Sequence, residues 1–268
     1  MKRILVPTDF SKNTHSAIEC AIDIVNRVEG EMILLNTYKL AHRAGMFIGV
    51  EKIMREESKA EMTKLVRKIK PRLQGEATIK NKVVKGEPIQ TIVLAAKKLN
   101  VDLIIMGTQG ASGLKEVFMG STTNGVINSI KIPVMAIPSS FEYKPLNVIV
   151  LSVSPNFGEL ADKAESLKML AKLYESKIIG LHVRTGMGDD GIQQNFNKIL
   201  KTTDHAYFEV EGNITKINSI IEQFVKDNNA DLLCMIKQNR GFWGNLLHNS
   251  VTTNEVFHSP VPILVLQE

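Results

Sequence analysis

Two stretches of this 268-residue chain align without a gap at a separation of 129 positions, and that repeat constrains the fold more than any other feature. Asp102-Leu-Ile-Ile-Met106 matches Asp231-Leu-Leu-Cys-Met235, and Ile132-Pro-Val-Met-Ala-Ile137 matches Val261-Pro-Ile-Leu-Val-Leu266. Between them Gln109 meets Gln238, and Ser121 meets Ser250. A chain of this kind is two copies of one plan. The break falls in Ser139-Ser140-Phe141-Glu142-Tyr143-Lys144-Pro145, a polar stretch ending in Pro that suits a linker. Domains are therefore expected at 1–140 and 146–268.

Each half alternates short apolar runs with helical periods. The first half predicts strands at Arg3–Pro7, Met32–Thr37, Ala77–Val84, Leu103–Gly107 and Val134–Ile137. Helices are expected near Thr14–Val28, Glu51–Leu73, Ile89–Leu99 and Ser121–Ile130. The second half predicts strands at Val148–Leu151, Lys177–Val183, His205–Val210, Leu232–Ile236 and Ile263–Leu266, with helices near Gly158–Glu175, Ile192–Lys201, Ile214–Asp227 and Ser250–His258. Strands that are apolar on both faces and alternate with helices indicate a parallel sheet covered on both sides. The expected class is α/β, with two tandem five-stranded, Rossmann-like domains. Each half ends in an apolar strand that would be an exposed edge if left unpaired, so the halves are expected to form a pseudo-dimer.

Several function classes are excluded before any motif is read. Cys20 and Cys234 are the two cysteines, far apart and without metal-ligand spacing, so neither a disulfide framework nor a zinc site is expected. No apolar run approaches the roughly 20 residues that a membrane span needs. The opening Met1-Lys2-Arg3-Ile4-Leu5-Val6-Pro7 is strand-like and lacks a signal peptide's apolar core, so a cytoplasmic location is expected. The net charge is +5 and is unevenly placed: residues 1–140 hold 21 Lys and Arg against 13 Asp and Glu, residues 141–268 hold 12 against 15. No Arg-rich run or nucleic-acid motif accompanies the basic half, so a small polyphosphate is a better partner for it than a duplex.

A parallel sheet binds ligands beyond the carboxyl ends of its strands, where the strand order reverses. There the first half carries Met106-Gly107-Thr108-Gln109-Gly110, nine further residues, and Gly120-Ser121-Thr122-Thr123 opening a helix. Glycines allow close backbone approach, and a helix N-terminus offers free amides to an anion. The alternative is that these glycines only end a strand and cap a helix, since turns favour glycine generally.

The spacing Gly107-x-x-Gly110-x9-Gly120-Ser121 resembles the ATP-binding signature of the universal stress protein family. The opening Ile4-Leu5-Val6-Pro7-Thr8-Asp9-Phe10-Ser11 resembles that family's first strand and nucleotide-contacting turn, and Ile132–Ile137 its last, dimerising strand. The resemblance covers both halves and implies a tandem member with an adenine nucleotide α-hydrolase-like fold. It implies ATP as ligand, with Mg²⁺ as a candidate companion. It places Asp9, flanked by Pro7 and Thr8, on the adenosine moiety and Thr37 at the adenine pocket. Met106 and Gly107 fall at the ribose edge, and Gly110, Gly120, Ser121 and Thr122 at the phosphates. Leu35-Asn36-Thr37 stands where the family usually has Leu-His-Val.

The second half departs from this pattern. Gly107 becomes Ile236, Gly110 becomes Asn239, Gly120 becomes Asn249 and Asp9 becomes Ser154, while Ser250 is kept. Arg240-Gly241-Phe242-Trp243 adds bulk to the loop, so this half is expected to keep the fold and lack the site. Gly186-Met-Gly-Asp-Asp-Gly191 matches a dinucleotide fingerprint, but it follows the second strand of its unit, and Asp189 and Asp190 would oppose a pyrophosphate. It is read as an acidic loop. His182 is expected to be structural or pocket-lining, and the other histidines share no ligand spacing. Lys115 and Glu116 read as a solvated pair, and Ala41–Val50 either covers the nucleotide or packs on a partner.

No Walker A motif, kinase motif set or nucleophile elbow is present. The leading expectation is an ATP-binding regulatory module acting in stress response, with an adenine nucleotide and an unidentified protein as partners. A homodimer of the tandem chain is a candidate assembly. Slow ATP hydrolysis or autophosphorylation, and a structural tandem with a vestigial site, are the alternatives.

Overall fold

The computed structural model describes residues 1–39, 47–108, 119–155, 157–184, 191–237 and 259–267. The chain divides into two compact units at Ser139 and Ser140. In the first unit β1 (Arg3–Pro7), β2 (Glu31–Tyr38), β3 (Thr78–Lys85), β4 (Leu103–Gly107) and β5 (Val134–Ile137) form a sheet in the order β3-β2-β1-β4-β5. Every neighbouring pair is parallel, with Ile4 opposite both Met32 and Leu103, and Gly107 opposite Ile137. The chain winds outward from β1 through α1 (His15–Val28) and α2 (Phe47–Ile69), then returns through α3 (Pro88–Lys98) and α4 (Ser121–Ser129). Right-handed crossovers put α1 and α2 on one face and α3 and α4 on the other. The order reverses between β1 and β4.

Burial explains the choice of elements. Ile4, Leu5, Val6, Ile104 and Ile105 are fully buried because helices cover both faces of the central strands. β3 is different: its Lys80 and Lys82 are exposed, as suits the sheet's edge. Helix α1 buries Ala17, Ile18, Ala21, Ile24 and Val25 at the spacing of one helical face, and Glu29 ends it in the left-handed conformation. Arg72, in the 3₁₀ turn that follows α2, is tied to Glu19 of α1 by a two-armed bond, one arm being 2.7 Å.

The second unit repeats the plan with β6 (Val148–Ser152), β7 (Lys177–Arg184), β8 (His205–Glu211), β9 (Leu232–Lys237) and β10 (Ile263–Gln267) in the order β8-β7-β6-β9-β10. Its pairs are also parallel. Its helices are α5 (Glu165–Tyr174), α6 (Ile192–Leu200) and α7 (Ile217–Asp227). The sequence predicts one helix from Gly158 to Glu175; instead Phe157–Ala164 winds as a 3₁₀ helix before α5 begins. Phe157 is anchored against Phe196 of α6, ring centroids 6.0 Å apart. A Cβ on Gly158 would come within 2.6 Å of the Asn195 side chain. This close tertiary contact overrides the local helical period. The predicted helix Ser250–His258 lies outside the described residues.

The repeat in the sequence is a repeat in hydrogen bonding. Asp102 Oδ2 accepts from the amides of Lys2 and Arg3 at 2.6 and 2.9 Å, tying β4's start to β1. Asp231 Oδ2 does the same for Asn147 and Val148 at 2.8 and 2.9 Å. The repeated prolines act alike too: Ile104 N donates to Pro133 O at 3.0 Å and Leu233 N to Pro262 O at 2.9 Å. Among the described residues no helix is long and apolar enough to cross a membrane.

Candidate functional site

At the strand-order reversal of the first unit lies a cavity of about 300 Å³. Its walls come from the turn after β1 (Pro7, Thr8, Asp9), from Leu35 and Thr37 on one face of β2, and from Met106, Gly107 and Thr108 ending β4. Gly120, Ser121, Thr122 and Thr123 of the α4 start close it, with Pro88 and Ile92 of α3. Nine of the ten residues expected from the sequence line this one cavity. The tenth, Gly110, lies outside the described residues, as do Lys115, Glu116 and most of the Ala41–Val50 stretch.

The turn after β1 is tightly held. Thr8 N donates to Leu35 O at 2.9 Å, and Asn36 Nδ2 donates to Thr8 O at 2.9 Å. Thr8 Oγ1 accepts from Phe10 N at 3.0 Å and lies 3.3 Å from Thr14 Oγ1. Asp9 is exposed, and its Oδ1 accepts from Ser11 N at 3.0 Å and Ser11 Oγ at 2.6 Å. Such an Asx turn points the carboxylate back over its own loop. Phe10 takes φ 62°, a left-handed conformation costly for a bulky residue, so the surrounding bonds over-determine the turn.

Across the cavity, Thr108 N donates to Ile137 O at 2.9 Å, and Thr108 O accepts from Gly120 N. Thr123 Oγ1 donates to Gly107 O at 2.8 Å. These bonds press the start of α4 against the end of β4. Gly120 is the N-cap of α4, and no side chain caps that end. The first-turn amides therefore have no intrahelical acceptor, and they carry the positive end of the helix dipole. Asp9 is the one ionisable group among the described residues that line the cavity. The chemistry on offer is an amide cradle at one end, an apolar wall of Leu35, Ile92, Pro88 and Met106, and a carboxylate at the rim.

Thr108 and Thr123, which stand within the two glycine motifs, also line the cavity, as do Thr14, Leu35, Pro88 and Ile92, to which no motif points. Alternation on β2 puts Leu35 on the face of Thr37. Pro88, Ile92 and Thr14 reach the cavity only through the packing of α3 and α1. In the second unit, Val153 stands where Thr8 does, its amide bonded to Leu181 O at 2.8 Å. His182 is buried, and its Nδ1 lies 2.9 Å from Val153 O, the same task that Asn36 performs in the first unit. Met235, Ile236 and Lys237 of β9 stand where Met106 and Gly107 end β4 and Thr108 follows it. Burial pushes the Lys237 ammonium below the usual lysine range. Asn239, Arg240–Trp243, Asn249, Ser250 and the Gly186–Asp190 loop lie outside the described residues.

Comparison with known proteins places this geometry in a family. The model of the universal stress protein family matches residues 1–138, and the chain belongs to that family. Universal stress protein MJ0531 of Methanocaldococcus jannaschii is 29% identical over 138 residues, covering 51% of this chain and 81% of that protein. Universal stress protein MJ0577 of the same organism is 31% identical over 156 residues, covering 51% of this chain and 94% of that protein. The crystal structure of a universal stress protein from Archaeoglobus fulgidus aligns with 99% of this chain and 96% of its own. Its TM-score is 0.76 at 21% identity, a likeness of fold that spans both halves.

Proposed function

We propose that the chain is an ATP-binding regulatory module of stress response, holding one nucleotide per chain in its first half. The observation that carries this reading is the meeting of three strand ends and the uncapped start of α4 in one cavity. The adenosine moiety would lie against Leu35, Thr37, Ile92 and Met106, with Pro7 and Thr8 beneath it and Gly107 at the ribose edge. The phosphates would lie on the amides of Gly120, Ser121 and Thr122, and Gly110 would complete that loop. A polyphosphate beside Asp9 brings negative charges together, and Mg²⁺ between them would neutralise both. Residues 146–268 would bind no nucleotide: Ile236 carries a side chain where Gly107 has none, and Val153 replaces the Thr8 hydroxyl.

Binding without efficient turnover follows from the same residues. Rate enhancement needs groups that hold the transition state better than the ground state, and a positioned base for water. Amides and hydroxyls meet the ground-state phosphates as readily, and Asp9 already accepts two bonds from Ser11. ATP would act by favouring one conformation, which a protein partner reads. Titration calorimetry of the full chain with MgATP tests the proposal. One site is expected, with turnover far below the ~10 s⁻¹ of a typical enzyme. Absence of saturable ATP binding, or two equivalent sites, would refute it.

A further inference from the structure

A second cavity, of about 460 Å³, opens between α1 and α2 of the first unit. Among the described residues only Thr8 and Thr14 line both cavities, their hydroxyls 3.3 Å apart, so these two threonines stand between them. The volume lies in the range of small-molecule sites. Its floor is apolar: Phe10 from the strained turn, Ile18 of α1 and Leu65 of α2. Its rim is basic, carrying Lys12, Lys64 and Lys68 with Glu61 as the one carboxylate among the described lining residues.

The charges at this rim are unbalanced. Lys64 Nζ sits 2.7 Å from Glu61 Oε1, and that pair neutralises itself. Lys12 and Lys68 make no ion pair among the described residues. A cavity with an apolar floor and two uncompensated ammonium groups at its mouth selects among ligands. A bare inorganic anion gains nothing from Phe10, Ile18 and Leu65, and a wholly apolar molecule leaves the lysines unused. An anion with an apolar body uses both, and burial of its body and pairing of its head reinforce each other.

We propose that this cavity binds a small amphipathic anion, a carboxylate or phosphate head on an apolar body. The head pairs with Lys12 and Lys68, and the body rests on Phe10, Ile18 and Leu65. The proposal stands independently of the nucleotide reading, because Phe10, Lys12, Ile18, Leu65 and Lys68 line this cavity and not the first.

The full chain, saturated with MgATP to fill the first cavity, is titrated with 8-anilinonaphthalene-1-sulfonate by fluorescence. Decanoate and decyl phosphate then serve as competitors. Saturable binding at one site per chain is expected, displaced by at least one competitor, and the more effective of the two identifies the head group. The double variant Lys12→Glu/Lys68→Glu changes only exposed side chains, and it should weaken binding about tenfold or more with the thermal transition unmoved. Leu65→Asp, which keeps both lysines, should weaken it as well. Absence of saturable binding, displacement by neither competitor, or equal affinity in the lysine variant would overturn the proposal. Were ATP binding itself absent, the same titration without nucleotide would still decide between these outcomes.

Discussion

Replacing Gly120 by Ala tests how closely α4 must approach β4. The backbone at Gly120, φ −58° and ψ 156°, is open to any residue, so conformation alone does not forbid the change. Alanine even restricts the unfolded chain, which favours folding by about 0.4–1 kcal/mol. The added Cβ, however, would lie 2.9 Å from the carbonyl oxygen of Thr108. That atom is backbone and is held by its neighbours, since Thr108 N bonds Ile137 O and Thr108 O receives Gly120 N. Forcing a methyl group into such a contact costs about 1–3 kcal/mol. Alanine is also a poorer N-cap than glycine, by about 1 kcal/mol. The clash and the poorer cap outweigh the entropy gain, so a net loss of about 1–3 kcal/mol is expected from these opposing effects. Opening the Thr108–Gly120 contact also moves the first-turn amides away from the place where phosphates would sit, so ATP affinity should fall about tenfold or more. Urea denaturation followed by circular dichroism reads the first effect and calorimetry the second. Ser121→Ala, which removes only an exposed hydroxyl, is the control and should leave the denaturation midpoint in place. A Gly120→Ala variant with wild-type midpoint and wild-type affinity would refute the reasoning.

Three further outcomes follow from particular side chains. Asp9→Asn keeps the oxygen that accepts from Ser11 and removes the charge, so stability should stay within about 0.5 kcal/mol while the Mg²⁺ dependence of ATP binding falls; an unchanged dependence in calorimetry would exclude Asp9 from the cation. The hydrogen bond from Arg72 holds the Glu19 carboxyl below its ordinary 4.5, so the pair's contribution is fully present above that pH and is lost as pH falls through the lowered value. The stability gap between wild type and Glu19→Gln should be up to about 1 kcal/mol near neutrality and should close below pH 4.5; a gap that widens in acid would contradict the assignment. Burial pushes the Cys20 thiol up to about 12 and Cys234 higher still, so neither should react with a thiol reagent until urea unfolds the chain; fast labelling of the folded protein would count against both placements.

The plan of the fold is legible in local patterns. Asp102 and Asp231 recur 129 positions apart because each closes the same junction, accepting from two amides that would otherwise be unpaired at the start of a central strand. Apolar runs marked the central strands because burial on both faces leaves no room for polar positions. Glycine spacing and the β1 turn gave the ends of the cavity, since chain order alone puts Pro7–Asp9, Gly107 and Gly120 at carboxyl ends or a helix start. Strand ends are less well bounded: β2 extends one residue beyond the expected Met32–Thr37 at each end, and β3 is displaced by one residue from Ala77–Val84, because the apolar pattern weakens where a strand leaves the core.

Other features arise only where distant elements pack together. Pro88 and Ile92 enter the cavity because α3 crosses the face that Leu35 and Thr37 present, a relation between elements that no local pattern encodes. The 3₁₀ turn at Phe157–Ala164 depends on Asn195 and Phe196, which are distant in the chain. The basic cavity between α1 and α2 is likewise invisible in sequence, where Lys12, Leu65 and Lys68 read as ordinary positions around two helices. Periodicity reports which face of an element is buried, but only packing decides which faces meet and what space they leave.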